Sequence, residues 1–73
     1  MSKSIGEILN SKRRELGFSQ AELASALAID GIEVTNQAIS KWETGASDPS
    51  TTNLMALAKL FGVSAEDLLK EAQ

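Results

Sequence analysis

Seventy-three residues are enough for one small domain, since domains run from about 50 to 250 residues and a second core could not be filled here. The chain contains no Cys and no His, which excludes zinc fingers, Cys- or His-based nucleophile systems, haem ligation and disulfide scaffolds. Its formal net charge of −3, taken alone, argues against a nucleic-acid partner. Apolar residues make up 42% and aromatics only 4%, so the core must be built from Leu, Ile and Ala, a composition that favours packed helices. The longest apolar run, Leu54 to Ala58, falls far short of the roughly 20 residues needed to cross a bilayer. Met1-Ser2-Lys3-Ser4 is not followed by the apolar stretch of a secretory signal. A cytoplasmic location follows, with no membrane, metal or cofactor expected. A domain this small buries only about 60% of its unfolded surface, so its stability should be modest and a partner subunit would help.

The chain divides into five helical segments, giving an all-α, compact five-helix domain over residues 1–73 that a longer parent chain could continue beyond. Ile5, Ile8, Leu9 and Leu16 recur at helical spacing, and Gly17 stands where a helix stop belongs, which places the first helix at about residues 4–16. Ser19-Gln20-Ala21-Glu22 matches a capping box and opens a second helix over 19–28 with Leu23, Ala24 and Leu27 as its buried stripe. Asp30-Gly31 is a turn pair. Its flanks, Ala28-Ile29 and Ile32 to Val34, are too short to pair as a stable hairpin, so a loop is favoured. Thr35 is a candidate N-cap, with Val34 stapled to Ile39, for a third helix over 35–44 that ends at Gly45. Asp48-Pro49-Ser50 is turn and start chemistry. The fourth helix, 50–61, carries Leu54, Leu57, Ala58 and Phe61 on one stripe. Ser64-Ala65-Glu66-Asp67 opens the fifth, 64–71, with Asp67 in the reach-back position and Val63 stapled to Leu68.

The third helix carries the most chemistry. At about 100° per residue, Asn36, Ser40, Thr44, Gln37 and Lys41 share one face, while Ala38, Ile39 and Trp42 share the opposite one. A solvated face is normally rich in Glu and Lys, whereas this one offers two amides, two hydroxyls and a single Lys. Such groups match base-pair edges: Asn or Gln can bond adenine N6 and N7, Lys can donate to guanine O6 and N7, and a helix fits the major groove. The second helix exposes its first N–H groups beside Ser19 and Gln20, a natural phosphate seat. A capped helix, a connection and a helix with an amide-rich outer face follow the order of a helix-turn-helix.

The sequence resembles the lambdoid repressor and Cro-like helix-turn-helix domains, the XRE family, over about residues 4 to 70. The resemblance is carried by Lys12-Arg13-Arg14-Glu15-Leu16-Gly17-Phe18-Ser19-Gln20-Ala21-Glu22-Leu23-Ala24, by Gln37-Ala38-Ile39-Ser40-Lys41-Trp42-Glu43-Thr44-Gly45, and by Pro49-Ser50-Thr51 leading to Leu57-Ala58-Lys59-Leu60-Phe61-Gly62-Val63. It implies sequence-specific binding of double-stranded DNA by a transcriptional regulator, a repressor acting as a homodimer on a palindromic operator. Gln20 corresponds to the family's phosphate-gripping amide, Asn36, Gln37 and Lys41 to its base-reading positions, and Thr35, Ser40 and Thr44 to positions that touch phosphate or a groove edge. Ser40 is grouped with the base-reading set, and Ser19, Lys12 and Arg14 join the phosphate set. Arg13 and Glu43 match a partly buried structural ion pair. One departure stands out: members commonly pass from the Leu-Ala of the second helix to the Ile of the third in about eleven residues, whereas Leu23 to Ile39 takes sixteen, an extra length that is entropically cheap in a connection.

Other readings compete at several positions. Trp42 could serve as a stacking platform, but its place beside Ile39 makes it core, with Ile39, Leu23, Leu57 and Phe61. Lys12, Arg13 and Arg14 are either a wet face or a phosphate-binding cluster. Glu66, Asp67 and Glu71 are simply solvating charges rather than a catalytic pair. Leu68 and Leu69 either cap the core or lie in a dimer interface. An alternative function keeps the fold but makes it a protein-interaction or antitoxin-like module whose DNA affinity is incidental. An enzyme ranks last, because the usual nucleophile and acid–base pairs are missing.

Overall fold

Each helix opens on a hydroxyl residue. In the computed structural model, which describes residues 3–72, the side-chain oxygens of Ser4, Ser19, Thr35, Ser50 and Ser64 each accept the backbone N–H three residues on. This satisfies a donor that a helix start would otherwise leave open. The helices are α1 (Ile5–Glu15), α2 (Gln20–Ile29), α3 (Asn36–Thr44), α4 (Thr51–Phe61) and α5 (Ala65–Glu71). The capping residues stand just outside them, so the expected starts at 4, 19, 35, 50 and 64 each move inward by one residue, while α1 ends at Glu15 and α2 extends to Ile29. Met1 and Ser2, which head the Met1–Ser4 stretch without a secretory signal's apolar run, and Gln73 lie outside the described residues.

Capping differs in detail from the sequence reading. Ser19 and Glu22 form a complete capping box, and so do Ser4 and Glu7 at the start of α1. At α5 only the forward bond from the Asp67 N–H to Ser64 Oγ forms, at 3.0 Å. Asp67 has one methylene fewer than Glu, and its carboxylate makes no return bond to Ser64 among the described residues.

Asp30-Gly31 closes α2 rather than joining two strands. Gly31 has a positive φ of 80°, which an L side chain adopts only at a cost. Its N–H donates to the Ala28 carbonyl and the Ile32 N–H to that of Leu27, both at 3.0 Å, which is the paired bonding of a Schellman helix end. The residues after it run to Thr35 without regular structure. Ile32 and Val34 are half-buried against the core, whereas Ile29 is 87% exposed. The long connection is therefore anchored by two apolar side chains, with Asp30 and Glu33 left outside.

The core gathers Ile8 and Leu9 from α1, Leu23 and Leu27 from α2, Ile39 and Trp42 from α3, Leu57 and Ala58 from α4, and Leu68 from α5. Phe61 was expected in this core; it is half-buried and lies against its edge, because it is the last residue of α4 and its ring reaches only the rim of the packed layer. Leu16 caps α1 and is 49% exposed, so it drops out of the buried stripe. Leu68 is fully buried and its neighbour Leu69 is 50% exposed, which separates two roles that the sequence left joined. Helix α1 packs on α3 and α5, α2 on α3 and α4, and α4 on α5. At the α1–α3 crossing Gly6 is buried, and a Cβ there would overlap the Trp42 carbonyl oxygen and come within 2.8 Å of that of Glu43. The two backbones meet because no side chain separates them. Among the described residues no helix is long and apolar enough to cross a membrane, and no group of acidic side chains is placed to hold a metal ion.

Candidate nucleic-acid interface

The orientation of α3 follows from its apolar wedge. Ile39 and Trp42 are 1% and 6% exposed, and Ala38 packs against the same core. The opposite face must therefore turn outward: Asn36, Gln37, Lys41 and Thr44 are exposed and Ser40 is half-buried. Neither amide on this face has a side-chain hydrogen bond among the described residues, so both keep their full donor and acceptor capacity. Thr44 differs, since its hydroxyl donates to the Lys41 carbonyl at 3.3 Å, leaving only its oxygen lone pairs free. The Thr35 oxygen caps α3 through the Ala38 N–H at 3.1 Å, and its hydroxyl proton remains available to a phosphate oxygen.

At the start of α2, the Ser19 hydroxyl takes the Glu22 N–H at 3.0 Å and the Glu22 carboxylate takes the Ser19 N–H at 2.9 Å. Hydrogen bonding to its carboxylate, first from the Ser19 backbone N–H and then from the Ser19 hydroxyl, holds the Glu22 carboxyl below the ordinary carboxylate range. The backbone N–H groups of Gln20 and Ala21 have no partner among the described residues and mark the open end of the helix.

Behind this surface a buried carboxylate joins three helices. The Glu43 side chain is 5% exposed, and its Oε2 accepts Arg13 Nε at 2.7 Å. Its Oε1 accepts Asn10 Nδ2 at 2.8 Å, Arg13 Nη2 at 3.1 Å and Gln20 Nε2 at 3.1 Å. Arg13 is completed by a bond from Nη1 to the Phe18 carbonyl at 2.7 Å. Burial pushes the Glu43 carboxyl up, but the hydrogen bonds from Arg13, Asn10 and Gln20 and the Arg13 charge together hold it below its usual range. The hydrogen bond to Glu43 likewise raises Arg13. The ion pair thus carries α1 onto the end of α3, and Gln20 adds α2 to the same acceptor.

The basic cluster on α1 splits three ways. Arg13 points inward to Glu43, Lys12 reaches Glu71 on α5 with Nζ 3.6 Å from Oε2, and Arg14 is exposed with no ion pair among the described residues. Successive helical residues point about 100° apart, so three adjacent cations cannot serve one face. Asn10 and Gly6 were absent from the sequence-derived site. Both lie one or two turns before Arg13 on the same side of α1, and a glycine inside an otherwise helical stretch is the signal that could have marked the contact.

A family profile described as helix-turn-helix matches residues 9–68. Among curated proteins, repressor protein C2 of Salmonella phage P22 is 36% identical over 66 residues, covering 90% of this chain and 28% of its own length. The transcriptional regulator DicA of Escherichia coli is 39% identical over 61 residues, covering 84% of this chain and 42% of its own. ImmR of Bacillus subtilis, another transcriptional regulator, is 35% identical over 66 residues, with 90% and 48% covered. The chain spans half or less of the length of these three relatives. In three dimensions it is similar to the crystal structure of the P22 c2 repressor in complex with a synthetic operator, with a TM-score of 0.82 at 34% identity over 96% of this chain and 98% of that one. With these matches spanning nearly the whole chain, and with the α2–α3 arrangement beneath them, the chain belongs to the repressor and Cro-like (XRE) helix-turn-helix family.

Proposed function

We propose that this domain binds double-stranded DNA in a sequence-specific manner as part of a transcriptional repressor, with α3 in the major groove. The observation that carries this reading is the outward, unpartnered amide face of α3, Asn36 and Gln37 with Lys41, set against a buried Ile39–Trp42 wedge. Asn36, Gln37, Ser40 and Lys41 read base edges, and Ser19, Gln20, Thr35 and Arg14 grip phosphate. Thr44 and Lys12 join the phosphate set in a lesser role, since the Thr44 hydroxyl proton and the Lys12 charge are each shared within the protein. The net charge of −3 is no obstacle, because amide, hydroxyl and backbone N–H contacts position a protein on phosphate without net positive charge. The operator is palindromic and the active species a homodimer in the cytoplasm. Exposed Met55 on α4 and Leu69 on α5, two helices that pack together, are candidates for the subunit contact.

Selection from a random duplex library at two salt concentrations tests the reading. The expected product is a two-fold symmetric motif whose retention falls with salt. An unenriched pool, or binding indifferent to salt, would instead favour a protein-interaction module that uses the exposed Ile29 and Leu16.

A further inference from the structure

Gln20 sits at the junction of two tasks. Its amide is at the open N-terminus of α2, yet Nε2 is 3.1 Å from Oε1 of Glu43, the penultimate residue of α3. A primary amide is planar and carries two N–H donors, so fixing one on an acceptor fixes the direction of the other. The acceptor is itself rigid: Arg13 holds both of its oxygens, Asn10 holds Oε1 at 2.8 Å, and burial keeps water from replacing any of them. The second N–H of Gln20 has no partner among the described residues. Resting on the DNA reading above, we propose that Glu43 is a positioning residue for phosphate recognition: it holds the Gln20 amide so that the phosphate grip of α2 and the base-reading face of α3 move as one body.

This tie answers a specific weakness of the chain. Beyond the Gly31 turn the connection runs to Thr35 without regular structure, held to the core by Ile32 and Val34, and a long connection by itself constrains the two helices only loosely. A side-chain bond bridging 23 positions in sequence replaces the constraint that a short turn would impose. Ordering Gln20 before DNA arrives also removes the cost of immobilising it on binding, an effect worth roughly two- to tenfold in affinity.

The test is made on the whole 15N-labelled chain, free and bound to the duplex recovered from selection. In the free protein the Gln20 side-chain amide is expected to be as ordered as the backbone, unlike exposed Gln37, and one of its protons should shift when duplex is added. Binding measurements supply a second readout. Gln20→Ala should weaken binding about tenfold in the parent chain and less than twofold in a Glu43→Gln background, with folding checked by circular dichroism. If Glu43→Gln does not fold, the amide measurement decides alone, since it needs no variant. A Gln20 amide as mobile as that of Gln37, or one ordered but unmoved by a bound duplex, overturns the proposal while leaving DNA binding intact. Failure of the parent chain to retain any duplex overturns the DNA reading itself.

Discussion

Gly6 of α1 lies directly against the carbonyl oxygen of Trp42 in α3, closer than any side chain would allow. Gly6→Ala gains roughly 1 kcal/mol of helix propensity, but the new methyl group meets backbone on both Trp42 and Glu43, which cannot rotate away. The helices must separate, at an overpacking cost of about 1–3 kcal/mol or more. Net destabilisation is expected in urea unfolding, and a variant at least as stable as the parent would contradict the close α1–α3 crossing at Gly6.

Separating α1 from α3 would also strain the Arg13–Glu43 pair, whose side chains are 12% and 5% exposed. Glu43→Ala should cost about 3–5 kcal/mol, because it leaves the Arg13 guanidinium in a site without its counter-charge, whereas replacing both partners by apolar residues should cost much less. A double-mutant cycle of Arg13→Met and Glu43→Leu measures the difference, and simple additivity would remove the coupling.

The pH dependence has a definite sign. The Glu43 carboxyl sits below its ordinary 4.5 in the folded chain, so its contribution is fully present above that value and is lost as pH falls through the lower folded value. Glu22 is shifted the same way and adds to the same window. Arg13 is raised, so it stays charged throughout the acidic and neutral range. Stability should be level near neutrality and fall below about pH 4.5, and Glu43→Gln should flatten that fall. Thermal melts from pH 7 to 3 would check it; an unchanged slope in the variant would show that other carboxylates govern acid unfolding.

Trp42 is the single Trp of the chain and is 6% exposed. Its fluorescence should be blue-shifted, resist quenching by acrylamide and change little when duplex DNA is added. Trp42→Ala should cost about 3–5 kcal/mol by core truncation. Strong quenching by bound DNA would place the indole in the interface instead.

Substitutions on the outer face of α3 should leave stability nearly unchanged and alter preference. Gln37→Ala or Lys41→Ala is expected to lose roughly 1–3 kcal/mol of discrimination at particular base pairs. Arg14→Ala should instead weaken binding evenly across sequences and reduce the salt slope, with Lys12→Ala doing so less because Glu71 already shares that charge. For a dimer the parent log–log slope should be roughly −4 to −5. Identical selected motifs for the parent and both α3 variants would remove these residues from base reading.

Much of this fold is legible in the sequence because its signals are local. Hydroxyl caps, helix-ending glycines and apolar residues repeating every three or four positions each act within one or two turns, so five helices and the inward side of α3 follow from spacing alone. The resemblance adds the Arg13–Glu43 pairing. What spacing could not assign depends on where the helices lie relative to one another. Leu68 and Leu69 are chemically identical, and only the position of α5 against the core buries one and exposes the other. Lys12, Arg13 and Arg14 look alike in the chain, and packing sends them to α5, to α3 and to solvent. The sequence by itself determined the helices, the apolar wedge and the amide face, since those are properties of short segments. Tertiary structure alone decided the close approach at Gly6 and the addition of Asn10 and Gln20 to the Arg13–Glu43 pair, because each joins residues more than twenty positions apart and exists only once the helices have packed.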